Sequence, residues 1–275
     1  MVESRLSRML LRLGALATLA FIYVPLVVIG LYAFNANVTQ GWPIEDFSTR
    51  WWRVAYEDEA IRDAIVLSVV AALGATAIAL VLGTLASLAV SRYEFFGRDT
   101  ISFLVLLPIA LPGIITGLSL QATFQNAGIA FGLLTIIIGH ATFCIVVVYN
   151  NALARLRRVA GSFEEASADL GADSWQTFRH VTFPALRTPL LAGSLLAFAL
   201  SFDEVVVTIF TSGAQQTLPI WIFANLSRPR ELPIVNVVAL VLIFASTIPV
   251  YVAQRLSRDP TAAAAPAAAG AGAKQ

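Results

Sequence analysis

Two adjacent carboxylates, Asp203 and Glu204, stand inside an apolar run covering roughly residues 190–212. A helix entering the bilayer at Leu190 reaches them after about 13 residues, or ~20 Å into a ~30 Å hydrocarbon core. An unpaired acid at such a depth costs about 2.5–3.5 kcal/mol on insertion scales, so two in succession need compensation. No basic residue lies in any of the apolar runs of this chain, which removes the simplest internal partner. Two readings remain open. The acids are protonated or hydrogen-bonded structural groups in contact with a partner chain, or they are counter-charges for a cation in transit, since a multiply charged cation is costly to desolvate without carboxylates nearby. Neighbours about 100° apart on a helix cannot point the same way, so one acid would face a water-filled path while the other meets a partner.

Other chemistry is excluded by composition. Cys144 is the single cysteine, which rules out an intrachain disulfide and a cysteine-based metal site. His140 and His180 are too few and too differently placed for a ligand cluster, and each reads as a packed or surface histidine. A phosphate-binding loop needs a lysine in Gly-x-x-x-x-Gly-Lys-Ser/Thr, and the one lysine, Lys274, lies in the C-terminal tail. Any nucleotide is therefore bound by another polypeptide, and the chain carries no metal or cofactor of its own.

The elements that hold the acids are set by the bilayer. Apolar residues make up 58% of the 275 and charged residues 13%, with a mean hydropathy of +0.78, far beyond a soluble domain of this length. Six stretches are long enough to span as helices: roughly 13–34, 64–91, 101–122, 129–149, 190–212 and 234–254. One six-span domain then covers 13–258, between an N-terminal segment 1–12 and a tail 259–275 whose Ala/Pro/Gly-rich composition predicts disorder. The first run outlasts a signal-peptide core and is read as a retained helix. With the N-terminus inside, 13 basic residues fall in the cytoplasm and 5 outside (Arg50, Arg53, Arg62, Arg228 and Arg230), which satisfies the positive-inside rule and places both termini in the cytoplasm. The net charge of +1 belongs to this orientation and forms no nucleic-acid patch. Trp42, Trp51, Trp52 and Tyr56, in the long outer loop 35–63, suit the headgroup interface, with contact to a substrate-binding protein as the sharper reading.

Between spans four and five lies an ordered, amphipathic segment of about 40 residues, far longer than helix connections usually are. Ser162-Phe163-Glu164-Glu165 fits a capping box, with Glu165 reaching back to the cap's amide. Gly171 sits where a left-handed helix terminus is wanted, and Asp173 or Ser174 starts a second helix with an apolar stripe of Trp175, Phe178 and Val181. Pro184 and Pro189 are expected to break the chain before span five. An apolar stripe left exposed here calls for a covering partner.

The spacing Glu165-Ala166-Ser167, three residues, Gly171, nine residues, Val181-Thr182-Phe183-Pro184 resembles the cytoplasmic signature of permease subunits of bacterial ABC importers. Ser167, Val181 and Phe183 depart from the commonest residues of that signature by size-tolerant swaps. Leu107-Pro108-Ile109-Ala110-Leu111-Pro112-Gly113, Leu200-Ser201-Phe202-Asp203-Glu204 and Thr217-Leu218-Pro219-Ile220-Trp221-Ile222 further resemble the spermidine/putrescine-type permeases, in particular the second of two non-identical permease subunits. The resemblance implies an all-α polytopic protein of the bacterial inner membrane with six transmembrane helices and a helix-turn-helix ATPase-docking module. Its docking residues would be Glu164, Glu165, Ala166, Ser167, Asp169, Gly171 and Pro184, and its substrate-pathway residues Asp203 and Glu204. It implies as partners cytoplasmic ABC ATPase subunits that bind the ATP, a second permease and an extracytoplasmic binding protein. The cargo would be a polyamine or a similar small cation; an amino acid, opine or aminophosphonate is the alternative within the class. A secondary transporter using the two acids as ion sites is the alternative outside it. Pro108, Pro112 and Gly113 are read as a kink in span three, or else as a broken helix that lines a pathway or hinges.

Overall fold

A computed structural model of the chain describes residues 5–159 and 161–257. The tail, with Arg258 and Lys274, lies outside the described residues. Helix is the regular structure of the described residues, joined by turns and loops, with one isolated bridge between Asn35 and Phe47. Five helices are long and apolar enough to cross a membrane: α1 (Arg5–Tyr32), α3 (Glu59–Arg92), α6 (Leu133–Leu156), the run Ser174–Phe202 and α12 (Leu232–Ser257). The helices α4 (Arg98–Ala110) and α5 (Gly113–Asn126) pass the same test only as a pair, bent by 105°, which brings the candidate spans to as many as six. That bend far exceeds a kink. Leu111 precedes Pro112 and takes an extended conformation (φ −82°, ψ 143°), the region to which a following proline confines its neighbour, so the helix stops there.

The chain forms two compact units, Met1–Ala64 with Ile220–Phe244, and Ile65–Pro219 with Ala245–Gln275. In the first, α1 presents leucine, phenylalanine and valine side chains to the outside along its length, the surface expected of a helix solvated by lipid. After it the chain folds back through α2 (Arg50–Glu57), where the Trp51 indole N–H donates to the Asn35 carbonyl at 2.9 Å and Trp52 lies against Phe34. Trp51 is therefore a buried anchor of this segment, and only Trp42 and Tyr56, each 79% exposed, have the freedom of interface aromatics.

In the second unit α6 is the central post. Cys144, Val148, Ala152 and Leu156 recur every four residues along one face and pack on Leu186, Leu190 and Ala197 of the helix that follows. Small residues bring the backbones together, as is usual where helices associate without a hydrophobic drive. A Cβ added at Gly83 of α3 would stand 3.0 Å from both the Ile145 carbonyl oxygen and the Tyr149 amide nitrogen of α6. These are backbone atoms and cannot swing aside. Gly83→Val is therefore expected to part α3 from α6 at a cost of about 1–3 kcal/mol, typical of overpacking. A thermal-shift assay in detergent against Gly14→Val, where nothing lies within 4 Å, checks this; equal midpoints would contradict the close packing.

Span five differs most from expectation. Pro184 and Pro189 do not interrupt the chain, because Ser174–Phe202 is one run made of α8 (Ser174–Thr177), a π-helical turn (Phe178–Thr182) and α9 (Phe183–Phe202). In the π turn the Phe183 N–H reaches back to the Phe178 carbonyl, and this looser turn immediately precedes Pro184 at the start of α9. At the other end the run stops early. Residues 203–205 are non-helical, and the remainder of the expected span forms the short α10 (Val206–Thr211).

Candidate functional site

Two places in the second unit gather the polar residues: the helix-turn-helix around Gly171 and the interruption at Asp203 and Glu204. In the first, the capping box forms, but not where the sequence suggested. Gly161 is the N-cap of α7 (Ser162–Asp169), and its carbonyl accepts the amides of Glu164 and Glu165 at 2.9 and 3.1 Å. Ser162 is already inside the helix, so it is no longer the residue whose side chain faces the unpaired amides, and the reach of Glu165 back to a Ser162 cap is absent. Asp173 does the capping instead: its Oδ1 accepts the Gln176 N–H at 2.8 Å, and its own N–H donates to Gln176 Oε1 at 3.0 Å. Gly171 takes φ +84°, and the Gly171 and Ala172 amides close the end of α7 onto the Ala168 and Ser167 carbonyls, as expected of a left-handed terminus.

The inner side of α7 is tied down. Glu164 Oε2 lies 2.9 Å from Arg92 Nε at the end of α3, and its Oε1 accepts the Thr182 hydroxyl at 2.9 Å, so one carboxylate joins the helix-turn-helix, α3 and the π turn. Ser167, where alanine is the commoner residue, hydrogen-bonds Thr177 across the turn at 3.1 Å. These contacts border a cavity of about 310 Å³. Glu165, Ala166, Asp169, Gly171 and Pro184 are exposed, alongside Phe163 (63%) and Leu170 (89%). The uncovered face is thus acidic and apolar. The predicted stripe turns elsewhere, with Trp175 stacked on Phe178 at 5.8 Å and both lining an apolar groove of about 580 Å³ along α3 that also takes in Leu88, Phe183 and Arg187.

At the interruption, Asp203 caps the end of α9 and is exposed, and its side chain has no partner from another residue among the described residues. Glu204 is half-buried. Its Oε1 accepts the Val207 N–H at 2.9 Å, capping α10, and its carbonyl accepts the Thr208 hydroxyl at 2.8 Å. The two acids therefore do not share a helix, and the angular argument made for them does not apply. The second helix of the bent pair packs on α10, next to them. A Cβ at Gly113 of α5 would lie 3.2 Å from Val206 Cγ1, and one at Gly117 would strike the Phe210 ring. Non-helical backbone within an apolar span is tolerated only where protein covers it or it lines water. Among the described residues no Lys or Arg forms an ion pair with either acid, and no cluster of three His, Cys, Asp or Glu could hold a metal.

One residue that the sequence offered only as a packed or surface histidine stands at the centre of this arrangement. His140 on α6 is 1% exposed, with Nδ1 2.8 Å from Ser201 Oγ and Nε2 2.8 Å from Thr208 Oγ1. A lone histidine in an apolar run carries no signal of partners 61 and 68 residues away.

The architecture defines a class, that of polytopic all-helical membrane proteins. Residues 79–259 match the family described as the binding-protein-dependent transport system inner membrane component, and the chain belongs to that family. It is 35% identical over 245 residues to the putrescine transport system permease protein PotI of Escherichia coli strain K12, covering 85% of each chain. It is 30% identical to the spermidine/putrescine transport system permease protein PotC of Haemophilus influenzae, over 87% of this chain and 93% of that one. Among solved structures it resembles a subunit of a bacterial ABC transporter involved in the import of the acidic polysaccharide alginate (TM-score 0.70, 17% identity, 93% and 99% covered). It also resembles one of the inward-facing MetNI methionine ABC transporter (TM-score 0.57, 16% identity, 72% and 92% covered). Those two likenesses establish the fold. The chain is thus a multi-pass inner-membrane transport component, and the ion-gradient transporter is excluded as its class.

Proposed function

We propose that this chain is the permease subunit of an ATP-driven importer that passes a polyamine, or a similar small polycation, into the cytoplasm. The observation that carries the substrate class is the acid pair within span five of a chain 35% identical to a putrescine permease. The fold is neutral on this point, since it is shared with transporters of an acidic polysaccharide and of methionine. In this reading α7 docks on a separate ATPase through Glu165, Ala166, Asp169 and Leu170. A second, non-identical permease completes the pore, and an extracytoplasmic binding protein delivers the solute. ATP closing the ATPase dimer displaces α7 and rocks the spans around the pathway. The test is ATP-dependent accumulation of labelled putrescine and spermidine in proteoliposomes carrying the assembled complex. Accumulation of amino acids instead would redirect the substrate and leave the importer class intact.

Orientation belongs to the same proposal. A cysteine introduced by Ser48→Cys is expected to react with an impermeant thiol reagent added outside intact cells, and one introduced by Asp173→Cys only after lysis. Cys144 is fully buried and gives no background. The reverse pattern would put α7 on the wrong side of the membrane for any ATPase.

A further inference from the structure

His140 is placed unlike a residue that merely fills space. Its two ring nitrogens hold hydroxyls on opposite sides of the helix interruption, Ser201 in the last turn of α9 and Thr208 in α10. The proton positions follow from the partners. Thr208 donates its one hydroxyl proton to the Glu204 carbonyl, so toward the ring it can only accept, and the hydrogen sits on Nε2. Nδ1 is then the acceptor for the Ser201 hydroxyl. A single chain of donation runs from Ser201 through the imidazole to Thr208 and into the backbone of Glu204, each bond polarising the next. The ring is rigid, so the end of α9 and the start of α10 cannot spread apart without losing one of these bonds. Between the two anchor points lie Asp203 and Glu204.

We infer that His140 is a positioning residue for the two carboxylates, pinning both ends of the joint that carries them to α6. The energetics favour a role of this kind. Thr208 already satisfies itself by donating back to a carbonyl four residues earlier, and Ser hydroxyls commonly do the same. A buried histidine is thus not required by either hydroxyl, yet its own polar nitrogens are expensive in a membrane interior unless both are bonded. What the ring adds is the cross-connection. The inference rests on the pathway reading of Asp203 and Glu204, and its tests are chosen to fail separately from that reading.

The experiment uses the assembled complex with a spin label at Ile209→Cys, an exposed position of α10, and with spermidine uptake measured in parallel. His140→Leu and Thr208→Val should each raise label mobility and lower uptake about tenfold, in line with the loss of one buried hydrogen bond and the stranding of its partner. Thr208→Ser restores the hydroxyl and should stay within about twofold of the parent. The double variant should be no worse than the singles, because both break the same connection. Should His140→Leu assemble poorly, Thr208→Val, which is nearly isosteric, carries the test. An unchanged label and unchanged uptake in Thr208→Val, or additive losses in the double variant, overturns the inference. Full uptake by Asp203→Asn together with a loosened label in Thr208→Val would instead remove the pathway reading and leave the pin in place.

Discussion

Asp203→Asn and Glu204→Gln will each slow uptake, and more so for a trivalent polyamine than for a divalent one. Both changes keep size and nearly keep shape. Each removes one negative charge from the proposed pathway, so the loss scales with the charge left uncompensated on the cargo. The two positions are not equivalent. Asp203 is exposed, so Asp203→Asn should act on transport alone, by about tenfold for the trivalent substrate if the lost interaction is ~1.4 kcal/mol. Glu204 also accepts the Val207 amide, a bond that the carbonyl of Gln keeps and Ala would lose. Glu204→Ala should therefore add instability to slowed uptake, at the usual ~1 kcal/mol of a lost cap. Initial rates for putrescine and spermidine with matched amounts of complex decide the matter. Losses independent of substrate charge would return both acids to a structural role.

Gly171→Val is expected to leave the permease inserted and assembled while ATP hydrolysis no longer drives uptake. No atom lies within 4 Å of the Cβ it would add, so the strain is confined to the backbone, which at φ +84° costs a β-branched residue about 1–2 kcal/mol or more. The chain relieves this by abandoning the left-handed turn, and α7 then loses its angle to the next helix. Asn visits that conformation readily, so Gly171→Asn should keep most of the coupling. The ratio of solute accumulated to ATP hydrolysed separates the outcomes. A normal ratio in Gly171→Val would break the link between this turn and docking.

The spans themselves were legible because a 20-residue apolar run has few other fates in a chain of this composition. Their interruptions were legible only in part, since Pro108, Pro112 and Gly113 offered a broken helix beside a kink. Hydropathy carries straight across Leu111–Pro112, the two acids at 203 and 204 are too short a polar interval to divide the run 190–212, and periodicity alone does not register that α5 and α10 need each other's surfaces. The prolines had opposite effects. Pro112 ends a helix with its extended neighbour Leu111, whereas Pro184 lies inside a continuous run because a π turn precedes it. For the helix-turn-helix, the glycine was decisive because few other residues adopt φ +84°, while Ser162-x-x-Glu165 and Asp173-x-x-Gln176 offered two equally plausible caps. Which one forms depends on where the chain after α6 turns, and that is a tertiary matter. The tie of Glu164 to Arg92 and Thr182 was out of reach for the same reason.

Because Ser174 to Phe202 is one continuous helical run, its two ends share a single rotational phase. Its 29 residues extend about 43 Å, and every residue inserted or removed along that length turns one end against the other by about 100°. A deletion near Leu190 would thus re-aim Asp203 relative to Thr177 without touching either. Lineages of this protein should accept length changes around residues 157–161 and between residues 212 and 217, but none from 174 to 202. There the chain behaves as a keyed shaft, and its tally of residues is as constrained as their kinds.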